Sequence, residues 1–359
     1  MTASLSVFAE GKAVPAPFTR GVNFSNWMEF RTPADVDRDM FTRKDFENIK
    51  KLGCDVVRIP IHFELLCGPT PKYTINKKIF GIMDDLATWA EEFQIYVIFD
   101  FHNNTSGGTK TQDGIEEILL AIWGQISERY SSSTKYICYE IMNEPHGIAN
   151  SKWAKVLGNV ISCIREHDVE HYIIAGGADW NSFAALKELP DYNDPKLIYT
   201  FHFYEPMLFT HQGADWNELK RLKGIPFPYD KARMPKLPKS PTDSEKWYFS
   251  KDYNYAKKGT PKAVAGFFDQ YVEFSQKRNV PVYCGEFGVY NKYAAPEDRI
   301  AWYEITARLL DEKGIAHTSW DYYGGFGLFK NGSNGSTNRF PEDLDMDLLK
   351  ALGLNTEGL

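Results

Sequence analysis

The chain has 359 residues, which fits one large α/β barrel or about two domains of average size. Apolar residues make up 43% and charged residues 25% of the sequence, as in a globular protein. The 41 basic and 48 acidic residues give a net charge of −7, which argues against nucleic acid or an anionic membrane as a partner. No apolar run approaches the roughly 18 residues of a membrane span. Aromatic residues make up 15% of the sequence, and they either fill a core or line a groove in which sugar rings stack.

The five cysteines are scattered, with no CxxC pair and no metal-like spacing. We therefore expect buried thiols rather than a disulfide framework. The stretch Met1 to Pro17 lacks the charged and apolar regions of a signal peptide, so none is expected in this sequence. Localisation stays open between secretion of a trimmed precursor and the cytoplasm. A monomer is the default expectation.

Short apolar runs alternate with helical patterns along most of the chain. The predicted strands are Arg20–Phe24, Asp55–Pro60, Ile95–Phe101, Lys135–Met142, Tyr172–Ala175, Leu197–Tyr204, Val282–Phe287 and Ile315–Tyr322. The predicted helices are Arg43–Leu52, Asn76–Phe93, Ile115–Tyr130, Ser151–His167, Asn181–Leu189, Pro261–Arg278, Asp298–Lys313 and Leu344–Leu352. Eight such units favour an α/β fold of the (β/α)8 TIM-barrel type. A doubly wound sheet would normally use fewer strands and often carry a Gly-rich phosphate loop, which we do not find.

One long irregular segment interrupts this alternation. Residues 206–259 follow the sixth strand and contain five prolines from Pro226 to Pro241. The segment is far longer than an ordinary connection. It is either a tolerated surface insertion or a wall over a ligand cleft. We expect residues 1–359 to form a single catalytic domain with an extended loop after the sixth strand.

Polar side chains stand at the ends of seven of the eight predicted strands. The carboxyl ends of barrel strands face the active site, so these side chains should converge. The set comprises Asn23–Asn26, Arg58, Asp100, His102, Asn103, Asn143, Glu144, His202, Tyr204, Glu286 and Trp320.

Glu144 and Glu286 stand out in this set because they end strands four and seven, across the barrel mouth. Paired carboxylates can divide the work of glycoside cleavage, one donating a proton and the other attacking the anomeric carbon. Arg58 would keep a nearby carboxylate ionised. Metal catalysis is the competing use, with His102, His202 and His211 as candidate ligands, but no HExxH or two-Asp pattern is present.

The residues at these strand ends resemble glycoside hydrolase family 5, the cellulase-type barrels. The strongest matches are Tyr139–Pro145, which reads YEIMNEP, and Val282–Gly288, which reads VYCGEFG. The resemblance covers most of the chain. It implies that Glu144 is the general acid/base and Glu286 the nucleophile of a retaining double displacement, with no cofactor and no metal.

The resemblance also assigns substrate-binding residues. Asn143 would hold the 2-hydroxyl of the sugar at the cleavage site, Arg58 and Tyr204 would position Glu286, and His102, His202 and Trp320 would line the same subsite. Arg20–Glu29, reading RGVNFSNWME, is similar to the opening of bacterial endoglucanases of this family, and Phe209–Trp216, reading FTHQGADW, to a loop of a subset that includes enzymes cutting glucans and mannans. By that similarity Asn26, Glu29, His211 and Trp216 would contact substrate.

One position departs from that pattern. Many relatives have two histidines after the third strand, whereas this chain has His102-Asn103. Asn103 keeps a polar contact but loses an imidazole, which leaves mannan cleavage in doubt. Trp27, Trp180 and Tyr290 are either subsite platforms or core residues.

We therefore expect a retaining endo-β-1,4-glucanase that cuts soluble β-linked polysaccharides or oligosaccharides. A glucan/mannan bifunctional hydrolase and an exo-acting β-glucosidase of the same fold are the alternatives, the latter if residues 206–259 close one end of the groove. A carbohydrate-binding barrel without catalysis is a third hypothesis from another class.

Overall fold

Eight parallel strands close into a barrel in the computed structural model, which describes residues 11–29, 31–103, 110–330 and 337–359. Each strand pairs with its neighbours in chain order, and β8 closes the ring on β1. The strands are β1 Arg20–Asn23, β2 Val56–Ile61, β3 Tyr96–Phe101, β4 Ile137–Glu140, β5 Tyr172–Gly176, β6 Leu197–Phe203, β7 Val282–Phe287 and β8 Ala316–Ser319. The predicted (β/α)8 barrel is confirmed. Residues 1–10, the start of the stretch considered for a signal peptide, lie outside the described residues.

Helices connect the strands on the outside of the barrel. They are α1 Arg43–Lys51, α2 Phe63–Leu66, α3 Lys77–Phe93, α4 Ile115–Tyr130, α5 Asn150–Arg165, α6 Ala178–Asn181, α7 Phe183–Leu186, α8 Met207–Thr210, α9 Asp243–Tyr248, α10 Tyr255–Lys258, α11 Pro261–Arg278, α12 Pro296–Glu312 and α13 Met346–Ala351. Within the described ranges, no helix has the length and apolar character needed to cross a membrane. The fifth connection differs from the predicted helix Asn181–Leu189, because it is split into two single turns, α6 and α7.

The barrel interior has an apolar layer at the amino-terminal ends of the strands. This barrel floor consists of Phe18, Val56, Ile98, Cys138, Ile174, Ile198, Tyr283 and Ala316. Every strand from β2 to β8 contributes one inward-pointing member, and Phe18 covers them from below. At Gly21, on β1, a Cβ atom would lie 1.7 Å from the carbonyl oxygen of Val56, so only glycine fits there. The floor is thus a packed plug, as in other barrels of this kind.

The alternate residues of the strands point outward and pack under the helices. Phe101, Phe201 and Phe203 belong to this outer core. Trp123 is also fully buried there, and its indole N–H donates to the carbonyl oxygen of Ile141 over 3.0 Å. Both faces of the strands are therefore covered, which explains their nearly continuous apolar sequences.

Residues 206–259 combine short helices, α8 to α10, with irregular chain. The distal part is fixed to the outside of the barrel, where Arg233 forms a salt bridge of 2.6 Å with Asp298 on α12. Tyr255 also donates a hydrogen bond of 2.6 Å to the carbonyl oxygen of Pro226. The proximal part, from α8 to Trp216, stays beside the barrel mouth. The distal part thus fits the interpretation as a surface insertion, and the proximal part fits the interpretation as a wall beside the cleft.

Candidate active site

A polar layer lies directly above the barrel floor, two residues further along the same strands. Val56 is followed by Arg58, Ile98 by Asp100 and Cys138 by Glu140. Because side chains alternate along a strand, residues two apart point to the same side. The inward-pointing side chains thus change from apolar to ionisable between one inward position and the next. All three ionisable side chains are fully buried.

Arg58 is the centre of this layer. Its Nε and Nη2 form a two-pronged contact with Glu140 at 2.7 and 2.9 Å, and its Nη1 lies 2.7 Å from Glu286. The guanidinium also donates to Asn143 and lies 2.9 Å from Asp100. Burial disfavours its charge, but the surrounding carboxylates outweigh burial and raise the pKa of Arg58 well above its ordinary value. Glu140 is thus a structural partner of Arg58, deeper in the barrel than the mouth.

Glu286 reaches the mouth through an irregularity in strand pairing. Phe201 pairs with Cys284, but His202 pairs with Glu286, so β7 has one residue more than β6 at this point. Such a bulge re-aims the following side chain. The intervening Gly285 suits the crowding, because a Cβ atom there would lie 3.0 Å from Thr200 Oγ1 and 3.1 Å from His202 Nε2.

Two donors hold the carboxylate of Glu286. Arg58 contacts Oε1, and the hydroxyl of Tyr204 donates to Oε2 over 2.9 Å. Burial, followed by the negative charges of Glu286 and Glu144, raises the pKa of Tyr204 well above its ordinary value. The phenol therefore remains a donor to the carboxylate of Glu286.

Glu144 faces Glu286 from the other side of the mouth and pairs with His202. His202 Nδ1 lies 2.7 Å from a carboxylate oxygen of Glu144 and 3.6 Å from Oε2 of Glu286. Burial alone would raise the pKa of Glu144, but the attraction and hydrogen bond of His202 prevail and lower it. Burial alone would lower the pKa of His202, but the negative charges of Glu286 and Glu144 outweigh burial and raise that pKa. In the free enzyme this pair thus holds one proton, mainly on the imidazole.

Glu144, His202 and Glu286 form a compact triad. One ligand atom from each lies within 4.8 Å of the others, the only group of three or more potential metal-binding side chains found among the described residues. His102 and His211 do not join it, so the predicted alternative set of three histidine ligands is not assembled.

His102 and Trp320 lie on the opposite side of the mouth from β5 and β6. His102 Nδ1 is 2.6 Å from Asp100, and its ring stacks on Trp320 with 5.8 Å between centroids and 16° between planes. Burial and the charge of Arg58 lower the pKa of His102 to about 4, so its imidazole is neutral. Burial raises the pKa of Asp100 to about 7.

Asn26 and Glu29 follow β1 and adjoin the same side of the mouth. The backbone N–H of Asn26 donates to the carboxylate of Glu29. Burial is the main reason that the pKa of Glu29 is raised well above its ordinary value, and the charges of Asp321, Glu286 and Asp100 add to it. Burial thus favours the neutral carboxyl form of Glu29, which can donate a hydrogen bond.

Asn103 is tied to a residue that the sequence analysis did not single out. Its amide N–H and that of Gln112 both donate to Glu64, which lies in α2 after β2. The amide nitrogen of Asn103 is thus hydrogen-bonded within the protein, so it is not a free donor for a sugar hydroxyl.

His211 and Trp216 form an aromatic wall with Tyr290 and Phe326. Trp216 is 57% exposed, and its ring packs edge-on against Tyr290 at 4.8 Å. His211 packs against Tyr204 at 4.9 Å, which connects the wall to the donor of Glu286. Burial lowers the pKa of His211 to about 4. Tyr290, left open by the sequence, is part of this wall.

Trp180 forms a second exposed platform. Its indole stacks face to face on His146, with 3.7 Å between centroids and 8° between planes, and is 54% exposed. Asp179, Trp180 and Asn181 all have φ between 55° and 59°, a left-handed turn that is rare outside glycine. The backbone N–H of Trp180 donates to the carbonyl oxygen of Pro145, next to Glu144.

Trp27, by contrast, is fully buried in the core.

The predicted residues therefore fall into a central group and a rim. Residues of the central group contact one another directly; they are Arg58, Asn143, Glu144, His202, Tyr204 and Glu286. The rim comprises Asn26, Glu29, His102, Asn103, His211, Trp216 and Trp320. Asn23, which the sequence placed at the mouth without a role, donates its amide N–H to the carbonyl oxygen of Gly285 and accepts from Arg58 through its amide oxygen. Sequence reasoning missed Glu64 and His146, although His146 directly follows the motif that contains Glu144.

Comparisons with known proteins agree with this geometry. Residues 16–325 match the family model for cellulase, glycosyl hydrolase family 5. The chain is 27% identical to endoglucanase C of Acetivibrio thermocellus, covering 85% of this chain and 91% of that protein. It is also 27% identical to endoglucanase 3 of Fibrobacter succinogenes over 94% of its own length, but spans only 53% of that longer protein.

Solved structures give the same result. Endoglucanase Cel5A of Thermotoga maritima superposes with a TM-score of 0.74 at 28% identity, covering 93% of this chain and 96% of that chain. The same protein has been solved in complex with mannotriose and with cellobiose. The family match spans most of the chain and includes both carboxylates and their partners: the chain belongs to the cellulase family, glycosyl hydrolase family 5, and is a glycoside hydrolase.

Proposed function

We propose that this protein is a retaining endo-β-1,4-glucanase of soluble β-glucans, with Glu286 as nucleophile and Glu144 as general acid/base. The observation that carries the proposal is the carboxylate pair, in which an oxygen of each residue lies within 4.8 Å of the other. Retaining glycosidases keep their carboxyl groups about 5–5.5 Å apart, whereas inverting enzymes need about 6.5–9.5 Å to admit a water molecule.

Glu286 is equipped for attack on the anomeric carbon. Arg58 and Tyr204 each donate to one of its oxygens, which orients the carboxylate for attack. Attack forms the bond from a Glu286 oxygen to the anomeric carbon and breaks the glycosidic bond. Glu140 balances the charge of Arg58, so the guanidinium stays in place when Glu286 becomes an ester.

The proton for the leaving oxygen comes from the Glu144–His202 pair. The negative charge of Glu286 is the largest interaction that raises the pKa of His202. Esterification removes this charge, so the imidazolium becomes more acidic as the glycosyl bond forms. The proton then passes through Glu144 to the departing sugar, which explains how a carboxylate with a lowered pKa serves as the acid.

The second half of the reaction uses the same residues in reverse. Glu144, now ionised, takes a proton from a water molecule that attacks the anomeric carbon. Glu286 leaves and regains its contacts with Arg58 and Tyr204. Two attacks on the same carbon give retention of configuration: Glu286 supplies the electron pair of the first attack and water that of the second, and the proton lost by the water restores the one given to the leaving sugar.

The order of the strands favours cleavage within a chain. Between Glu144 on β4 and Glu286 on β7 lie two strands on one side and four on the other. Trp180 and Trp216 are exposed on the shorter side, and Trp320 lies on the longer side. Aromatic surfaces on both sides can bind sugars before and after the cleaved bond, as endo action requires. Asn143 would hold the 2-hydroxyl and the neutral His102 would line the same subsite.

The relatives support this substrate class, since both curated relatives are named endoglucanases. A second candidate is a glucan/mannan hydrolase, because the Thermotoga enzyme has been solved with mannotriose as well as cellobiose. Here Asn103 is tied to Glu64 and Gln112, so we expect glucan to be cut faster than mannan.

The test is release of reducing sugar from soluble β-glucan, carboxymethyl-cellulose, glucomannan and mannan, with Glu286→Ala assayed in parallel. We expect mixed oligosaccharides early in glucan digestion and no release by the variant. A single small sugar throughout would establish exo action instead. Binding to the polymers without release would leave the carbohydrate-binding barrel as the function.

A further inference from the structure

We propose that the Glu144–His202–Glu286 triad is a binding site for a borderline divalent cation such as Zn2+, which inhibits the enzyme by occupying the position of the anomeric carbon. The ion is an inhibitor and takes no part in the reaction. Binding itself requires only the triad, whereas competition with glucan rests on the proposed function.

The donor set suits Zn2+. One imidazole nitrogen and two carboxylate oxygens are common three-residue ligands of this ion, with a fourth position left to water. Tetrahedral coordination at about 2.0–2.2 Å places ligand atoms about 3.3–3.6 Å apart. His202 Nδ1 is 3.6 Å from Glu286 and 2.7 Å from Glu144, and the two carboxylates have oxygens within 4.8 Å of each other. A shift of the Glu144 side chain away from His202 and toward Glu286 would bring the three ligand atoms to this spacing.

The surroundings hold one of the three ligands, Glu286, in place. Tyr204 and Arg58 hydrogen-bond the carboxylate of Glu286, the kind of support that outer contacts give metal ligands. His202 is nearly buried, whereas the side chain of Glu144 is 23% exposed and leaves a path from the cleft.

The local charge also favours a cation. Glu140 neutralises the guanidinium of Arg58 through two hydrogen bonds. The two carboxylates of the triad then remain as net negative charge at the bottom of the cleft. Metal ligands must be deprotonated, so binding is measured above neutral pH.

The experiment titrates ZnCl2 into the protein by calorimetry at pH 8 without substrate. We expect one site in the wild type and a loss of at least about 10-fold in affinity in His202→Asn and in Glu144→Gln. The control His167→Asn removes an exposed histidine at the end of α5 and should bind as the wild type does. Mg2+, which prefers six oxygen ligands, should not compete.

A parallel assay measures hydrolysis of soluble β-glucan at increasing Zn2+. We expect the apparent KM to rise while kcat stays constant. Unchanged affinity in both triad variants, or a fall in kcat at constant KM, would overturn the proposal. If the protein binds Zn2+ through the triad but hydrolyses no glucan, the proposed function fails and the metal site stands.

Discussion

The two ends of the barrel interior are built from the same strands but have opposite chemistry. The barrel floor is entirely apolar apart from a tyrosine and a cysteine, and it is sealed by Phe18. One step along the strands, the mouth buries Arg58 among three carboxylates. Hydrophobic burial stabilises the floor without any partner, whereas each charge in the mouth depends on its counter-charge.

The difference separates stability from function. Packing at the floor fixes the strand register, and the register in turn places the polar residues at the mouth. The mouth itself is a costly arrangement, because desolvation raises the pKa values of Asp100 and Asp321 to about 7. Changes at the floor should therefore reduce folding stability, and changes at the mouth should reduce activity.

The largest effect is expected at the nucleophile. Glu286→Gln keeps the shape of the side chain and its contact with Tyr204 but removes the attacking charge. We expect kcat on soluble β-glucan to fall by about 10⁴-fold or more, with the thermal midpoint changed little. Glu304→Gln, at an exposed site on α12, should leave kcat unchanged. Near-normal turnover by the Glu286 variant would remove it from the mechanism.

A substitution in the barrel floor should reduce folding stability and leave activity unchanged. Ile198→Ala leaves a cavity in a fully buried layer, so we expect the free energy of unfolding to fall by about 2–5 kcal/mol. Activity per folded molecule should be unchanged. Denaturant titration measures the loss, and Val169→Ala, at a 65% exposed position, is the control. A large loss of kcat in the folded Ile198 variant would show that the two ends are not independent.

The pH profile sharpens the description of the mouth. The proton shared by Glu144 and His202 is bound below the raised pKa of His202 and lost above it, so kcat/KM should fall as pH rises through a value above about 6.5. In His202→Asn the proton must be held by Glu144 alone. We expect kcat about 10²-fold lower and the alkaline limb at lower pH. If the alkaline limb of the pH profile lay at the same pH in His202→Asn as in the wild type, Glu144 and His202 would not share the proton.

The smallest effect is expected at the rim. Trp180→Ala should raise KM for long glucans by about 5-fold, because it removes one stacking surface worth roughly 1 kcal/mol. Hydrolysis of a short aryl cellobioside should change little. Trp247→Ala, 48% exposed on α9, serves as the matched control. Equal effects of both tryptophan variants on KM would show that Trp180 is not a specific platform.

The barrel and the central group could be predicted because each depends on short-range patterns. Eight apolar runs define the strands, and polar residues at the carboxyl ends of these runs lie at the mouth of a closed barrel. Glu144 and Glu286 lie in such positions within distinctive motifs. Their convergence follows from closure of the barrel and requires no knowledge of individual side-chain contacts.

The rim could not be predicted in the same way. Trp180 is exposed only because three consecutive residues adopt left-handed backbone angles, which composition does not reveal. The contact of Asn103 with Glu64 joins two connections far apart in sequence. The extra residue in β7 that aims Glu286 at His202 is likewise a property of strand pairing.

The central claim is that Glu144 and Glu286 act as a retaining pair, and product stereochemistry tests it most directly. Proton NMR would follow the anomer first released from a cello-oligosaccharide before mutarotation. Our account predicts the β-anomer first, because two displacements at one carbon restore the original configuration. Initial release of the α-anomer would mean a single displacement by water and would contradict a nucleophilic role for Glu286.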